Sequence, residues 1–157
     1  MRDVIASSDN KFYKLLKKLD KKKYRDENSI FKAEGEKFLN ENINFNKIIV
    51  KESKFDYFDE KYDISKHDNL TILKDNLFDE VSTQENSQGI IFLYSKNLNT
   101  IEDIQGDVVI LDDIQDPGNA GTIIRTMIAA NFQNLILTKG SVDVYNPKTV
   151  RATMSGG

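Results

Sequence analysis

Two side chains in the stretch "LDDIQDPGNAGTIIRT", residues 111–126, have types suited to chemistry: Asn119 and Arg125. An amide can orient a hydroxyl or cap a helix. A guanidinium is a permanent cation whose planar fork matches phosphate. The run "VVIL" before them predicts a strand buried on both faces, as in a parallel sheet. "NAGTIIRTMIAAN" predicts a helix and "FQNLILTKG" a second strand, which together make a βαβ unit. The turn then falls at the C-terminal end of its strand, the edge where parallel α/β sheets bind ligands.

The turn has its own logic. Pro117 fixes one backbone angle and Gly118 can take a positive φ. Asn119 is placed to cap the helix, whose first N–H groups favour an anion. Ile124, Met127 and Ile128 make the expected buried face, with Arg125 at its border. Helical side chains lean toward the N-terminus, so Arg125 is expected over Gly121 and Thr122, aimed at Asn119. A plainer reading stays open on spacing alone: Asn119 only caps, and Arg125 only pairs with Asp112, Asp113 or Asp116. No Walker motif or G-x-G-x-x-G loop is present.

A second candidate is electrostatic. Between Lys11 and Arg25 stand eight basic residues and one acid, Asp20. Phe12, Leu15, Leu16 and Leu19 predict one apolar helix face. Lys14, Lys17, Lys18, Lys21, Lys22 and Arg25, with Tyr13 and Tyr24 interleaved, are the candidate RNA contacts: cations for phosphate and rings for unpaired bases. The alternative is a solvated lysine face. The lone histidine, His67, reads as an exposed loop residue, and no metal site is expected.

The elements that must position these groups fall into two units. Residues 1–96 alternate strands ("SIFKAEG", "FNKIIVKES", "LTILKD", "QGIIFLYS") with helices, which predicts an α/β sandwich. Residues 97–106 read as a polar linker closed by Gly106. In the second unit, residues 107–157, Asn146-Pro147 predicts a cap and the first position of a helix "PKTVRATM". One βαβ and a turn of helix are too little for an open sheet covered on both faces, so this unit reads as the front part of a longer domain.

Bulk composition narrows the classes. The 157 residues are 39% hydrophobic and 30% charged, which suits globular domains and not disorder. A net charge of −3 gives no overall nucleic-acid signature, so any such surface must be local. The absence of cysteine excludes disulfides and thiolate metal sites and fits a reducing cytoplasm. No signal-peptide or membrane-spanning apolar run is present.

The pattern Asp116-Pro117-x-Asn119-x-Gly121-x-x-x-Arg125, followed by "GSVDVYNPKTVRA", closely resembles the first motif block of the SpoU (TrmH-type) RNA ribose 2′-O-methyltransferases of the SPOUT superfamily. The resemblance spans about residues 108–154. "FKAEGEKFL" and "STQENSQGI" resemble more weakly the substrate-binding domain, similar to ribosomal protein L30e, that precedes the catalytic domain in many members. The resemblance implies methyl transfer from S-adenosylmethionine (SAM) to a ribose 2′-hydroxyl, with Asn119 and Arg125 catalytic. It implies ribosomal RNA as the substrate, a homodimeric parent, and a SAM pocket and trefoil knot built downstream of Gly157. This chain alone is then expected to lack the knot and be inactive. At 153–157 the sequence is Thr-Met-Ser-Gly-Gly, and Ser155 stands where the family usually has glycine. The competing function is a non-catalytic RNA- or ribosome-binding module. A nucleotide-binding α/β protein is disfavoured by the missing phosphate-loop glycines.

Overall fold

The computed structural model describes residues 3–40, 44–96 and 104–154, with side chains to residue 150. The chain divides into two compact units, Met1–Ser95 and Lys96–Gly157. Both are mixed α/β.

The first unit runs β1 (Val4–Ile5), α1 (Lys11–Lys18), α2 (Lys22–Asn28), β2 (Ile30–Glu34), β3 (Lys47–Lys51), α3 (Phe55–Tyr62), β4 (Leu70–Leu73), α4 (Asp75–Val81) and β5 (Ile90–Ser95). Its five-stranded sheet has the order β1-β4-β3-β5-β2. β1, β4 and β3 are parallel, and β5 lies antiparallel between β3 and β2. Side chains alternate across a sheet, so Ile49, Ile91 and Leu93 share one face. Tyr13 and Leu16 of α1, Leu19 at its end, and Leu77, Phe78 and Val81 of α4 close over it. On Phe92, which points the other way, the rings of Phe38 and Phe45 pack at 6.0 and 5.3 Å.

Two segments of this unit differ in detail from the sequence reading, which makes "EKFLNENIN" a helix and residues 54–69 irregular with room for a short helix. The segment expected to be helical after Gly35 is a 3₁₀ turn, Glu36–Asn40. The irregular stretch after Lys54 holds all of α3, ended by Asp63 in the left-handed conformation. α1 takes its cap from Asn10, whose Oδ1 accepts the Tyr13 N–H at 3.0 Å. His67 is half-buried, its ring edge-on to Phe45 at 5.3 Å, and so is not an exposed loop residue. Gly89, at φ +90°, lets the chain pass Lys54; a Cβ there would sit 2.7 Å from Lys54 Cγ.

The Glu36 carboxylate ties the 3₁₀ turn to α3. It accepts from Tyr57 Oη at 2.8 Å, Lys61 Nζ at 2.7 Å and Tyr62 Oη at 2.7 Å. Partial burial pushes its pKa up, but hydrogen bonds from Lys61, Tyr62 and Tyr57 outweigh that and hold it below its ordinary value of 4.5. A depressed carboxyl pKa contributes stability that is present above the ordinary value and lost as pH falls through the folded one. Glu36→Gln is therefore expected to flatten the loss of stability on acidification below about pH 4.5. Urea midpoints measured across that range check this; an acid limb as steep as wild type contradicts it.

The second unit contains β6 (Val108–Leu111), α5 (Pro117–Ala129), β7 (Asn134–Leu137) and α6 (Pro147–Met154). β6 and β7 are parallel, with Leu111 opposite Leu137 at their C-terminal ends. α5 packs on α6. β6 is not buried on both faces, because Ile110 is 61% exposed. Among the described residues this sheet has two strands, so it lacks the layer that would cover Ile110. The expected linker falls largely outside the described residues, and the stretch Ser155–Gly157 falls wholly outside them.

Candidate active-site edge and RNA interface

Hydroxyl groups stitch together the loops leaving β6 and β7. Thr138 Oγ1 accepts the Asp113 N–H at 2.9 Å and lies 2.9 Å from Asp112 Oδ1, to which it can donate. Ser141 Oγ accepts the Ile114 N–H and donates to the Leu111 carbonyl, each at 3.1 Å. The Val142 N–H donates to the Ile114 carbonyl at 2.6 Å. Five loop residues after β6 would otherwise have few backbone partners. These bonds fix the approach to α5. Sequence reading missed Thr138 and Ser141, although hydroxyls just past a strand end are a usable signal for side-chain-to-backbone bonding.

The start of α5 differs from the expected one. Asp116, not Asn119, is the cap: its Oδ2 accepts the Asn119 N–H at 2.7 Å. Pro117 is the first helical residue, where its missing N–H costs nothing. Gly118 does not take positive φ. Its smallness leaves room for the cap, since a Cβ there would meet Asp116 Oδ2 at 3.1 Å. This displacement by three residues frees the Asn119 amide from capping. Asp116→Ala is expected to cost about 1 kcal/mol of stability, the usual value of such a cap. It should also speed hydrogen exchange at Asn119 and Ala120; exchange and unfolding midpoints at wild-type values would contradict the assignment.

Asn119 is exposed on the first turn and Arg125 is half-buried. Arg125 Nη2 donates to Thr122 Oγ1 at 3.3 Å, and Thr122 Oγ1 donates to the Gly118 carbonyl at 3.0 Å. The guanidinium therefore leans toward the helix N-terminus over its i−3 neighbour. At about 100° per residue, Asn119, Thr122 and Arg125 step round the helix by about 60° each. They form a polar ramp beginning at the turn. Met127 is buried at 7%, Ile124 is half-buried, and Ile128 is 66% exposed, so the expected three-residue buried face is not formed. Gly121 and Ala120 are buried instead, as small residues against which other elements can pack closely.

At the end of this edge, Asn146 Oδ1 accepts the Lys148 N–H at 2.9 Å and starts α6 ahead of Pro147. Tyr145 is pushed above its ordinary pKa by burial and then by the charge of Asp143. It is a neutral hydroxyl at physiological pH.

In the first unit Lys14, Lys17, Lys18, Lys21 and Lys22 are all exposed on α1, α2 and the turn between them. Lys17 lies over the Tyr13 ring at 5.6 Å and Lys18 over the Tyr24 ring at 5.3 Å. Lys22 pairs with Asp26 at 2.7 Å in an exposed i,i+4 contact. Arg25 does not belong to this surface. It is 2% exposed, and its Nη1 donates to the Leu19 carbonyl at 2.9 Å, so it serves the C-terminal end of α1. Tyr13 is also buried, at 4%, as part of the core, which leaves half-buried Tyr24 as the ring beside the lysines. Charge and spacing placed these two residues on the surface; they do not reveal that Arg25 reaches back to the Leu19 carbonyl or that Tyr13 packs into the core with α4.

Known proteins share both units. The MRM3-like substrate binding domain family matches residues 10–91, and the SpoU rRNA Methylase family matches residues 107–157. Over residues 10–91, more than half of its length, this chain belongs to the MRM3-like substrate binding domain family. Among relatives, it is similar to the 23S rRNA (guanosine(2553)-2′-O)-methyltransferase RlmP of Bacillus subtilis, 30% identical over 151 residues, covering 94% of this chain and 59% of that protein. It is 28% identical over 158 residues to the mitochondrial rRNA methyltransferase 3 of Xenopus laevis, covering 93% of this chain and 38% of that one. The AdoMet-bound rRNA methyltransferase of Sinorhizobium meliloti superposes with a TM-score of 0.77 at 26% identity, covering 97% of this chain and 60% of that chain. This chain thus spans about three fifths of RlmP. Among the described residues no helix is long and apolar enough to cross a membrane, and no group of residues could hold a metal.

Proposed function

We propose that the protein transfers a methyl group from SAM to a ribose 2′-hydroxyl of ribosomal RNA. The observation that carries this is the α5 ramp. A guanidinium leaning over Thr122 toward a helix N-terminus, with the Asn119 amide exposed there, suits a ribose and its neighbouring phosphate. Arg125 cannot serve as a base at neutral pH, since guanidinium stays protonated in proteins. Its role is to bind the adjacent phosphate and stabilise charge developing on the 2′-oxygen. Asn119 orients the ribose. Alignment of the hydroxyl with the methyl donor supplies much of the remaining rate.

SAM supplies the electrophilic methyl group. Ile110 and Ile128 leave apolar surface open, which does not make the closed apolar pocket that an adenine needs. We place the SAM-binding residues, the trefoil knot and the homodimer contact in the part of the longer relatives that this chain does not span. The 157-residue chain is then expected to bind SAM weakly. Tight, stoichiometric binding by calorimetry would overturn that assignment. The first unit, an L30e-like domain in this reading, holds the RNA through its exposed lysines, in the cytoplasm. Methyl transfer from labelled SAM by the full-length protein onto unmodified ribosomal RNA tests the proposal. No transfer, with RNA binding retained, would leave the non-catalytic RNA-binding module as the correct reading.

A further inference from the structure

Two residues of opposite charge are buried on β2, two positions apart and so on the same face of the strand. Lys32 is 2% exposed and Glu34 is 9% exposed. Neither is used by the methyl-transfer reading. Burying a charge is costly unless it is fully paired, and both are heavily engaged. Lys32 Nζ pairs with Asp20 Oδ1 at 2.7 Å and donates to the Val81 carbonyl at 2.9 Å. One ammonium thereby joins the turn between α1 and α2 to the C-terminal end of α4. Glu34 grips the chain that follows. It accepts from Ser82 Oγ at 2.5 Å, the Thr83 N–H at 2.9 Å and Thr83 Oγ1 at 3.2 Å, and also from Ser87 Oγ.

The connection Ser82–Gly89 is polar throughout and joins a helix to a strand. Such loops are ordinarily among the most mobile parts of a domain. This one is held at both ends by a single carboxylate, and its tip, Glu85 and Asn86, is exposed. Holding a loop's ends this tightly limits the entropy lost when its tip meets a ligand. The same strand tethers the turn that carries Lys21 and Lys22. Lys32 thus joins the turn next to Lys21 to the end of α4, and Glu34 holds the loop that continues from that end to the exposed amide-and-carboxylate tip.

We propose that the Glu34-clamped loop is a second RNA-contacting site, in which Glu85 and Asn86 hydrogen-bond the base edges of an unpaired nucleotide while the lysines hold its phosphates. This rests on the RNA-binding reading of the first unit. The chemistry selects bases over phosphate. A carboxylate repels phosphate but accepts from the amino groups of cytosine or guanine, and an amide both donates and accepts. In RNA such edges are accessible where the bases are unpaired. Glu34 is a positioning residue in this account and touches no RNA.

The test is anisotropy titration of the 157-residue chain with an unmodified ribosomal RNA transcript and with a fully paired RNA duplex, at several salt concentrations. The doubly substituted variant Glu85→Ala, Asn86→Ala is expected to bind the transcript roughly five- to tenfold more weakly, the range for lost base contacts. Its salt dependence should be unchanged, because no phosphate contact is lost, and its duplex affinity should match wild type. Glu34→Gln should weaken transcript binding in the same direction. If it fails to fold, the tip variant decides, since both of its positions are exposed. Wild-type transcript affinity in the tip variant overturns the second site and leaves the lysine reading standing. A wild-type chain that binds neither RNA overturns both.

Discussion

Arg125→Ala in the full-length protein is expected to lower methyl transfer roughly 100- to 1,000-fold, the usual loss when one donor that stabilises developing oxyanion charge is removed. The fold should survive. Arg125 is half-buried in the second half of α5, while the packing of that helix rests on Ala120, Gly121 and Met127. The loss should fall mainly on kcat, because the charge on the 2′-oxygen appears only as the methyl group transfers. RNA affinity should fall less, and SAM affinity should not change. Arg125→Lys retains a cation but loses the planar fork, so it should recover only part of the rate. Its pH–rate profile should keep the wild-type shape. A general base at this position would instead show a new ionisation when arginine becomes lysine, whose pKa is lower. Single-turnover assays with saturating SAM measure each of these outcomes. Wild-type rates in the alanine variant would remove Arg125 from the reaction.

The second large effect is on RNA binding. Reversing charge at Lys17, Lys18, Lys21 and Lys22 places four carboxylates where the structure has four exposed ammonium groups. Each phosphate neutralised contributes about 0.7 to 0.9 to the slope of log affinity against log salt. Loss of four contacts should flatten that slope by about 3 to 3.5 and weaken binding at least about 100-fold near 0.1 M salt. None of the four is in the core, so circular dichroism should be unchanged. Lys22 gives up its exposed pair with Asp26, a contact of small energetic value. Arg25 must be left alone, because its buried guanidinium holds the Leu19 carbonyl and its replacement would report on folding. Unchanged binding and an unchanged slope in the quadruple variant would return these lysines to a solvated face.

Most of the fold was legible because its signals are local. Apolar spacing placed α1, α4 and α5, and β-branched runs placed β3, β4 and β5. The "NP" pair located the start of α6. What sequence could not supply was set by tertiary contacts. Arg25 and Tyr13 share a basic stretch with seven exposed lysines, yet both are buried, because Arg25 reaches back to the Leu19 carbonyl and Tyr13 faces the core with α4. Asp116 and Asn119 are both good capping residues three positions apart, and the choice between them was settled by Pro117 at the first helical position. Lys32 and Glu34 look like surface charges on an edge strand. Only the structure shows Asp20 and the loop after α4 closing over them. The lean of Arg125 toward Thr122, by contrast, followed from helix geometry alone.

The central claim is that the α5 edge serves a ribose hydroxyl. Alkaline hydrolysis of ribosomal RNA labelled by the full-length protein and SAM tests it most directly, because a methylated 2′-oxygen cannot attack the adjacent phosphate. The account predicts label in alkali-resistant dinucleotides, lost when Arg125 is replaced by alanine. Label released in mononucleotides, or resistant label that persists without Arg125, would contradict it.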